Sequence, residues 1–213
     1  MVDDFIKGWQ QKQGDPRSAV LDALVPGPSV RERITKTIFK LNTVQRRLED
    51  SATRMKAKDK TLFQKCVKAQ EAKDTYASTM YANEIAQVRK MTQIIVSSQL
   101  AMEQVTLRLE TVRDFGDITT EILPVAQIIR TIANRVSGVL PSVSHMLSDV
   151  CGTMDSLIID AGQVTSSSYH TVTSGEAEKI LAEATAVAEQ NVKDTFPTLP
   201  SSSFTETGFK LPE

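Results

Sequence analysis

The sequence predicts an all-α protein: a long antiparallel helical hairpin followed by shorter helices, with a flexible C-terminal tail. Three observations carry this. No Gly or Pro occurs from Ser29 to Phe115, although the 213-residue chain holds 9 Gly and 8 Pro, and these two residues break helices most strongly. Inside that run apolar residues recur at helical spacing in two stripes. Between the stripes lies a charged break, MKAKDKT (Met55–Thr61). One continuous helix over the whole run would span roughly 130 Å. Two stripes with a charged break are better satisfied by a hairpin that buries each against the other. No segment demands a strand.

Residues 1–28 read as a leader whose first part, Asp4 to Gln11, can form a short helix. The rest is punctuated by Gly14, Pro16, Pro26, Gly27 and Pro28, the composition of a connector. The hairpin is predicted over 29–115. Ser29 and Glu32 have capping-box spacing at its start. The first stripe runs Ile34, Ile38, Leu41, Val44, Leu48 and Met55. The second is strongest at Tyr76, Met80, Val88, Met91, Ile95, Met102, Val105, Leu109 and Val112. The charged break places the turn near Lys56–Lys60; since no Gly marks it, a single longer rod is the alternative.

Short helices are expected over 117–160, completing a helical core of 29–160. Gly116 can end the hairpin in the left-handed conformation and Asp117 can cap the next helix. Helical spacing continues through Ile122, Val125, Ile129, Ile132 and Val136, breaks at Gly138 to Pro141, and resumes from Val143 to Ile158. Residues 161–175 form a Ser/Thr-rich linker, 176–194 an Ala/Glu-rich helix, and 195–213 a Pro/Ser-rich tail expected to be extended.

The residues that chemistry would need are few. The chain has two histidines, His145 and His170, and neither has a companion at ligand spacing. Cys66 and Cys151 form no CxxC pair, which favours a reduced, cytoplasmic setting. No nucleotide-binding, metalloprotease or nucleophile-elbow motif occurs. The sequence therefore predicts no catalytic residue, no metal and no cofactor, and a protein that is not an enzyme. No signal peptide is expected at the N-terminus, and no apolar window approaches the ~20 residues of a spanning helix.

Charge is distributed unevenly. Residues 30–115 carry 17 basic and 10 acidic side chains, whereas 116–213 carry 5 and 12. Such asymmetry points to a surface interaction, a self-contact, or both. The basic residues are densest at Arg54, Lys56, Lys58, Lys60, Lys65, Lys68 and Lys73. Near an anionic bilayer each contributes ~1 kcal/mol; they can equally attract the acidic C-terminal half, or form a solvated helix face. Without interleaved aromatics or a reader motif, nucleic acid is not an expected partner. In the leader, Phe5, Ile6 and Trp9 can share one side of a short helix. They suit a membrane wedge or packing onto the hairpin. In the tail, Phe196-Pro197-Thr198-Leu199-Pro200 is a pre-extended peptide suited to an apolar groove between helices.

Taken together, the basic hairpin from Ser29 to Asp114, the acidic short helices from Asp117 and the tail motif FPTLP resemble the ESCRT-III family. More narrowly they resemble its archaeal cell-division branch, the CdvB-type proteins, from Ser29 to Pro200. That resemblance implies a non-enzymatic subunit that polymerises with itself and with paralogous subunits on an anionic membrane surface. It implies a place on the inner face of the cell membrane at the division site, where the polymer constricts or severs membrane necks. It further implies that Phe196, Pro197, Leu199 and Pro200 dock the MIT domain of an AAA+ ATPase that recycles the subunits. Here Ser201 to Ser203 stand where the family's motif usually continues with prolines. The longer archaeal members carry a winged-helix segment. A chain ending at Glu213 is expected to be a shorter paralogue without that extension. The family's Leu-rich docking helix is faintly echoed around Leu181–Lys193. The alternative reading is a soluble helical scaffold or adaptor that oligomerises through coiled-coil stripes without a membrane role.

Overall fold

A computed structural model describes residues 28–115, 118–160 and 174–199, with the backbone alone at 118–121, 174 and 176. The described residues form five helices: α1 (Val30–Glu71), α2 (Thr75–Phe115), α3 (Ile118–Val136), α4 (Pro141–Asp160) and α5 (Ser174–Thr195). The chain is all-α, and α1 and α2 form an antiparallel hairpin. At ~1.5 Å per residue each arm is roughly 60 Å long.

Ser29 starts α1 as its spacing predicts: its Oγ accepts from the Glu32 amide at 3.2 Å, satisfying one of the free donors of the first turn. The seam of α1 is Ile34, Ile38, Leu41, Val44, Leu48 and Ala52, all buried. It faces Ile95, Met102, Val105, Leu109 and Val112 of α2. Buried hydroxyls along α2 are satisfied within the helix. Thr92, Ser98 and Thr106 donate to the carbonyls of Val88, Ile94 and Met102, each four residues back. They therefore cost little in the seam.

The turn is not at Lys56–Lys60. Those residues lie inside α1, and the chain reverses at Ala72–Lys73–Asp74. The helix end there is a Schellman motif. The Asp74 amide donates to Ala69 O and the Lys73 amide to Gln70 O, both at 2.9 Å. Lys73 sits at the left-handed position with φ 57°, a place usually given to Gly. Asp74 then caps α2, its Oδ1 accepting from the Ala77 amide at 3.0 Å. Because the turn is made without glycine, the break in hydrophobicity is the stronger signal in the sequence, and it points to the wrong place.

The stripe prediction for the start of α2 also needs correcting. Tyr76 is 82% and Met80 49% exposed. In this stretch the inward residues are Ser78 and Ile85, with the Cys66 thiol donating to Ser78 O at 3.6 Å. The long axis of the hairpin thus has a thick base and a slender tip. At the base, α3 buries Ile122, Val125, Ile128, Ile129, Ile132 and Val136 between the hairpin and α4. Pro124 lies inside α3. Leu140 N donates to Val136 O at 2.7 Å, and α4 opens with Pro141, whose missing N–H costs nothing at a first helical position. Ser144 Oγ ties α4 back to Ala133 O at 2.9 Å. Arg33 pairs with Asp160, joining the first turn of α1 to the last of α4.

α5 lies along α2 and reaches further toward the tip. Thr185 meets Arg135 of α3 at 3.4 Å, and Glu189 accepts from Gln93 of α2 at 3.0 Å. Its inward face is Ala177, Ile180, Leu181, Ala184 and Ala188. Three of those five side chains are single methyl groups, whereas the face of α4 is built from Val, Leu, Met and Ile. At ~0.8 kcal/mol per buried CH₂, α5 is held far less firmly than α3 or α4.

Candidate functional site

The charged break that interrupts the stripe of α1 is where the structure concentrates its polar chemistry. Met55, Asp59, Leu62 and Cys66 continue the seam at spacings of four, three and four. Asp59 occupies a core position, with its side chain 2% exposed. Across the hairpin Arg89 reaches it with two donors, Nε to Oδ1 at 2.8 Å and Nη2 to Oδ2 at 3.4 Å. This fork-to-carboxylate geometry satisfies both carboxylate oxygens. Over the other side of the guanidinium lies the Phe196 ring, its centroid 5.1 Å from Arg89 Cζ. That is within cation–π range.

A chain of contacts therefore runs from a buried carboxylate in α1, through Arg89 of α2, to the first residue of the tail motif. Phe196 is only 9% exposed, and its amide donates to Val192 O at 3.1 Å, extending α5 by one bond. Pro197 is exposed and Leu199 half-buried; Pro200 lies outside the described residues. A cleft of about 360 Å³ lies between the hairpin and the end of α5, and Phe196 is the residue of the motif that lines it. One wall carries Ala52, Lys56, Val96 and Leu100 of the hairpin and the other Asn191, Val192 and Phe196. Asp59 and Arg89 are not singled out by composition. The signal that could have found them is an acidic residue at a seam position, together with an Arg next to Val88 on the facing stripe.

All seven basic residues of the Arg54–Lys73 stretch are exposed. The structure does not gather them into one patch. Arg54, Lys58, Lys65 and Lys68, spaced four, seven and three apart, share a face of α1, whereas Lys56 and Lys60 point away from it. Lys73 sits in the turn. Two of the seven are engaged within the hairpin: Lys58 Nζ pairs with Glu84 at 2.8 Å, and Arg54 donates to Ser51 Oγ at 2.8 Å. The acidic C-terminal part is held against the hairpin by the apolar faces of α3, α4 and α5, with Arg33–Asp160 as a cation–carboxylate contact at the base. Phe5, Ile6 and Trp9 lie outside the described residues.

Among the described residues no helix is long and apolar enough to cross a membrane. None of their His, Cys, Asp and Glu side chains form a group of three or more able to hold a metal ion. Both cysteines are buried free thiols. Burial pushes the Cys151 thiol above its ordinary range, opposed in part by the nearby Arg130 charge. Among the described residues the arrangement offers binding surface rather than a convergent reactive cluster.

The chain is 37% identical to Cell division protein B1 of Sulfolobus acidocaldarius over 206 residues, 95% of the chain and 92% of that protein. It is 33% identical to Cell division protein B of the same organism over 168 residues, 78% of the chain and 64% of that protein. No family model and no solved structure matches it. The helical hairpin with folded-back short helices agrees with the likeness to these two proteins, near full-length for Cell division protein B1: the chain belongs to the archaeal CdvB type of the ESCRT-III family.

Proposed function

We propose that this chain is a membrane-remodelling polymer subunit acting in cell division, recycled by an AAA+ ATPase through its tail. The observation that carries the reading is the position of Phe196. It heads the tail motif, yet it is folded back over Arg89 at the end of a weakly held helix. Such an arrangement suits a subunit with a resting form and an open form.

In the open form α5 leaves the hairpin. This frees the α2 face beneath it and exposes Phe196, Pro197, Leu199 and Pro200 together for an MIT domain. α3 and α4 stay, because their large buried side chains are part of the same core as the hairpin. Hairpins of this chain and of paralogous subunits then pack side by side on the inner face of the membrane at the division site. The Arg54, Lys58, Lys65 and Lys68 face supports the lipid contact, at ~1 kcal/mol per basic side chain near an anionic surface. Association of this kind weakens with salt over a Debye length of ~10 Å at 0.1 M.

The test is sedimentation and electron microscopy with anionic liposomes at low salt, using the full chain and a chain truncated before Ser174. The truncated chain is expected to bind and form filaments more readily than the full chain. No sedimentation and no filaments from either would overturn the membrane reading. A fixed oligomer indifferent to lipid and salt would instead support the scaffold alternative. Removing residues 196–200 is expected to abolish binding of the MIT domain and leave filaments intact; unchanged binding would defeat the tail assignment.

A further inference from the structure

A groove of about 820 Å³ lies where α3, α4 and α5 meet. Its volume falls within the range of built ligand pockets, roughly 300–1,000 Å³. Leu123, Ala126, Ile158, Ile159 and Leu181 supply its apolar surface. Ile159 is 60% exposed there, and Leu123 is only partly buried. Two arginines stand at the groove. Arg130 is taken by Asp155, with contacts of 2.9 and 3.2 Å. Arg135 is exposed and donates to the Thr185 hydroxyl at 3.4 Å; Gln127 and Glu178 also line the groove.

The chain outside the described residues supplies a matching segment at a matching place. The Arg33–Asp160 contact puts the first turn of α1 against the end of α4, next to Ile158 and Ile159. The leader therefore enters the fold beside this groove. It carries Asp3, Asp4, Phe5, Ile6 and Trp9: three large apolar side chains behind two carboxylates, a match for the groove's apolar surface and for the exposed Arg135 beside it. From Pro28 back to Trp9 the chain can extend about 60 Å, well beyond the ~18 Å of α3 between Leu123 and Arg135. Tethered this way, the segment meets the groove at a millimolar effective concentration, so even weak contacts keep it docked.

We infer that the leader docks in cis into the groove between α3, α4 and α5, burying Phe5, Ile6 and Trp9 and setting Asp3 and Asp4 against Arg135. The inference concerns the free protein and stands whether or not the chain acts on membranes.

Trp9 is the chain's single tryptophan, so its fluorescence reports the contact directly. In the full chain without lipid, its emission is expected to be blue-shifted, and acrylamide quenching at least twofold weaker than in Ile159→Glu or Arg135→Glu. Both substituted residues are exposed, so far-UV circular dichroism should be unchanged; if one variant unfolds, the other decides. The reciprocal chain Asp3→Lys/Asp4→Lys/Arg135→Glu should regain at least half of the protection lost in Arg135→Glu. Trp9 emission equal to that of a solvated indole, or indifferent to both groove variants, would overturn the inference. So would protection that disappears on dilution through the low micromolar range, which would mean exchange between copies. A Trp9→Phe/Tyr169→Trp chain covers the remaining occupant. If its emission responds to Ile159→Glu while Trp9 does not, residues 161–173 fill the groove and the leader does not.

Discussion

Removing Arg89 while leaving Asp59 in place is the most demanding perturbation of this hairpin. Asp59 is 2% exposed and Arg89 18%, so the pair sits in the seam with one edge near water. Breaking a buried pair by removing one partner costs about 3–5 kcal/mol. The partial exposure of Arg89 lets some solvent reach the orphaned carboxylate, so Arg89→Met is expected to cost about 2–4 kcal/mol. Asp59→Leu is expected to cost less, about 1–2 kcal/mol, because a long Arg side chain can carry its charge out to water. The double variant replaces both charges with apolar groups of similar reach, so it should recover much of the loss, with a coupling of about 1.5–3 kcal/mol. Urea unfolding followed by far-UV circular dichroism measures all four corners of the cycle. If the two single costs simply add within about 0.5 kcal/mol, the two side chains do not form the pair described.

Three further outcomes are tied to particular residues. Lys73→Gly should raise stability by about 1 kcal/mol, because only Gly occupies φ 57° without a side-chain clash; thermal unfolding should rise by about 2–4 °C for a chain of this size, and a fall would mean the turn is built differently. Phe196→Ala removes the ring over Arg89 and should shift α5 toward release, seen as faster amide exchange across Ala184–Val192 with no change in α3 or α4; equal acceleration in all three helices would refute a separately detachable α5. The Cys151 thiol is pushed up by burial. Unfolded chains therefore ionise it first above about pH 8.5, the folded state then holds more protons, and stability must fall as pH rises. Cys151→Ala should lessen that alkaline decline relative to the parent chain, and an unchanged slope would rule the thiol out as its source.

The places where the sequence is legible share a physical cause. Ser29 accepts from Glu32 because capping is a contact three residues long. The stripe from Ile34 to Leu48 and the run from Val143 to Ile158 are buried as their spacing requires, since each helix has one face to hide. Lys56–Lys60 reads as a turn because its charge imitates a break in structure. The register of the hairpin instead places Asp59 opposite Arg89, which lets a carboxylate hold a core position. The true turn lacks the usual glycine, with Lys73 at its left-handed position, so composition alone points elsewhere. Tyr76 and Met80 keep apolar character at the tip, where few layers remain to cover them.

By itself, then, the order of residues determined that the chain is helical and that two arms dominate it. Those are consequences of backbone propensity and spacing, which act over a few residues. Tertiary structure alone decided where the hairpin turns, that a buried ion pair spans its charged break, and that α5 returns along α2 to lay Phe196 on Arg89. These depend on which surfaces meet across long stretches of chain, a choice made by packing and by the need to pair every buried charge.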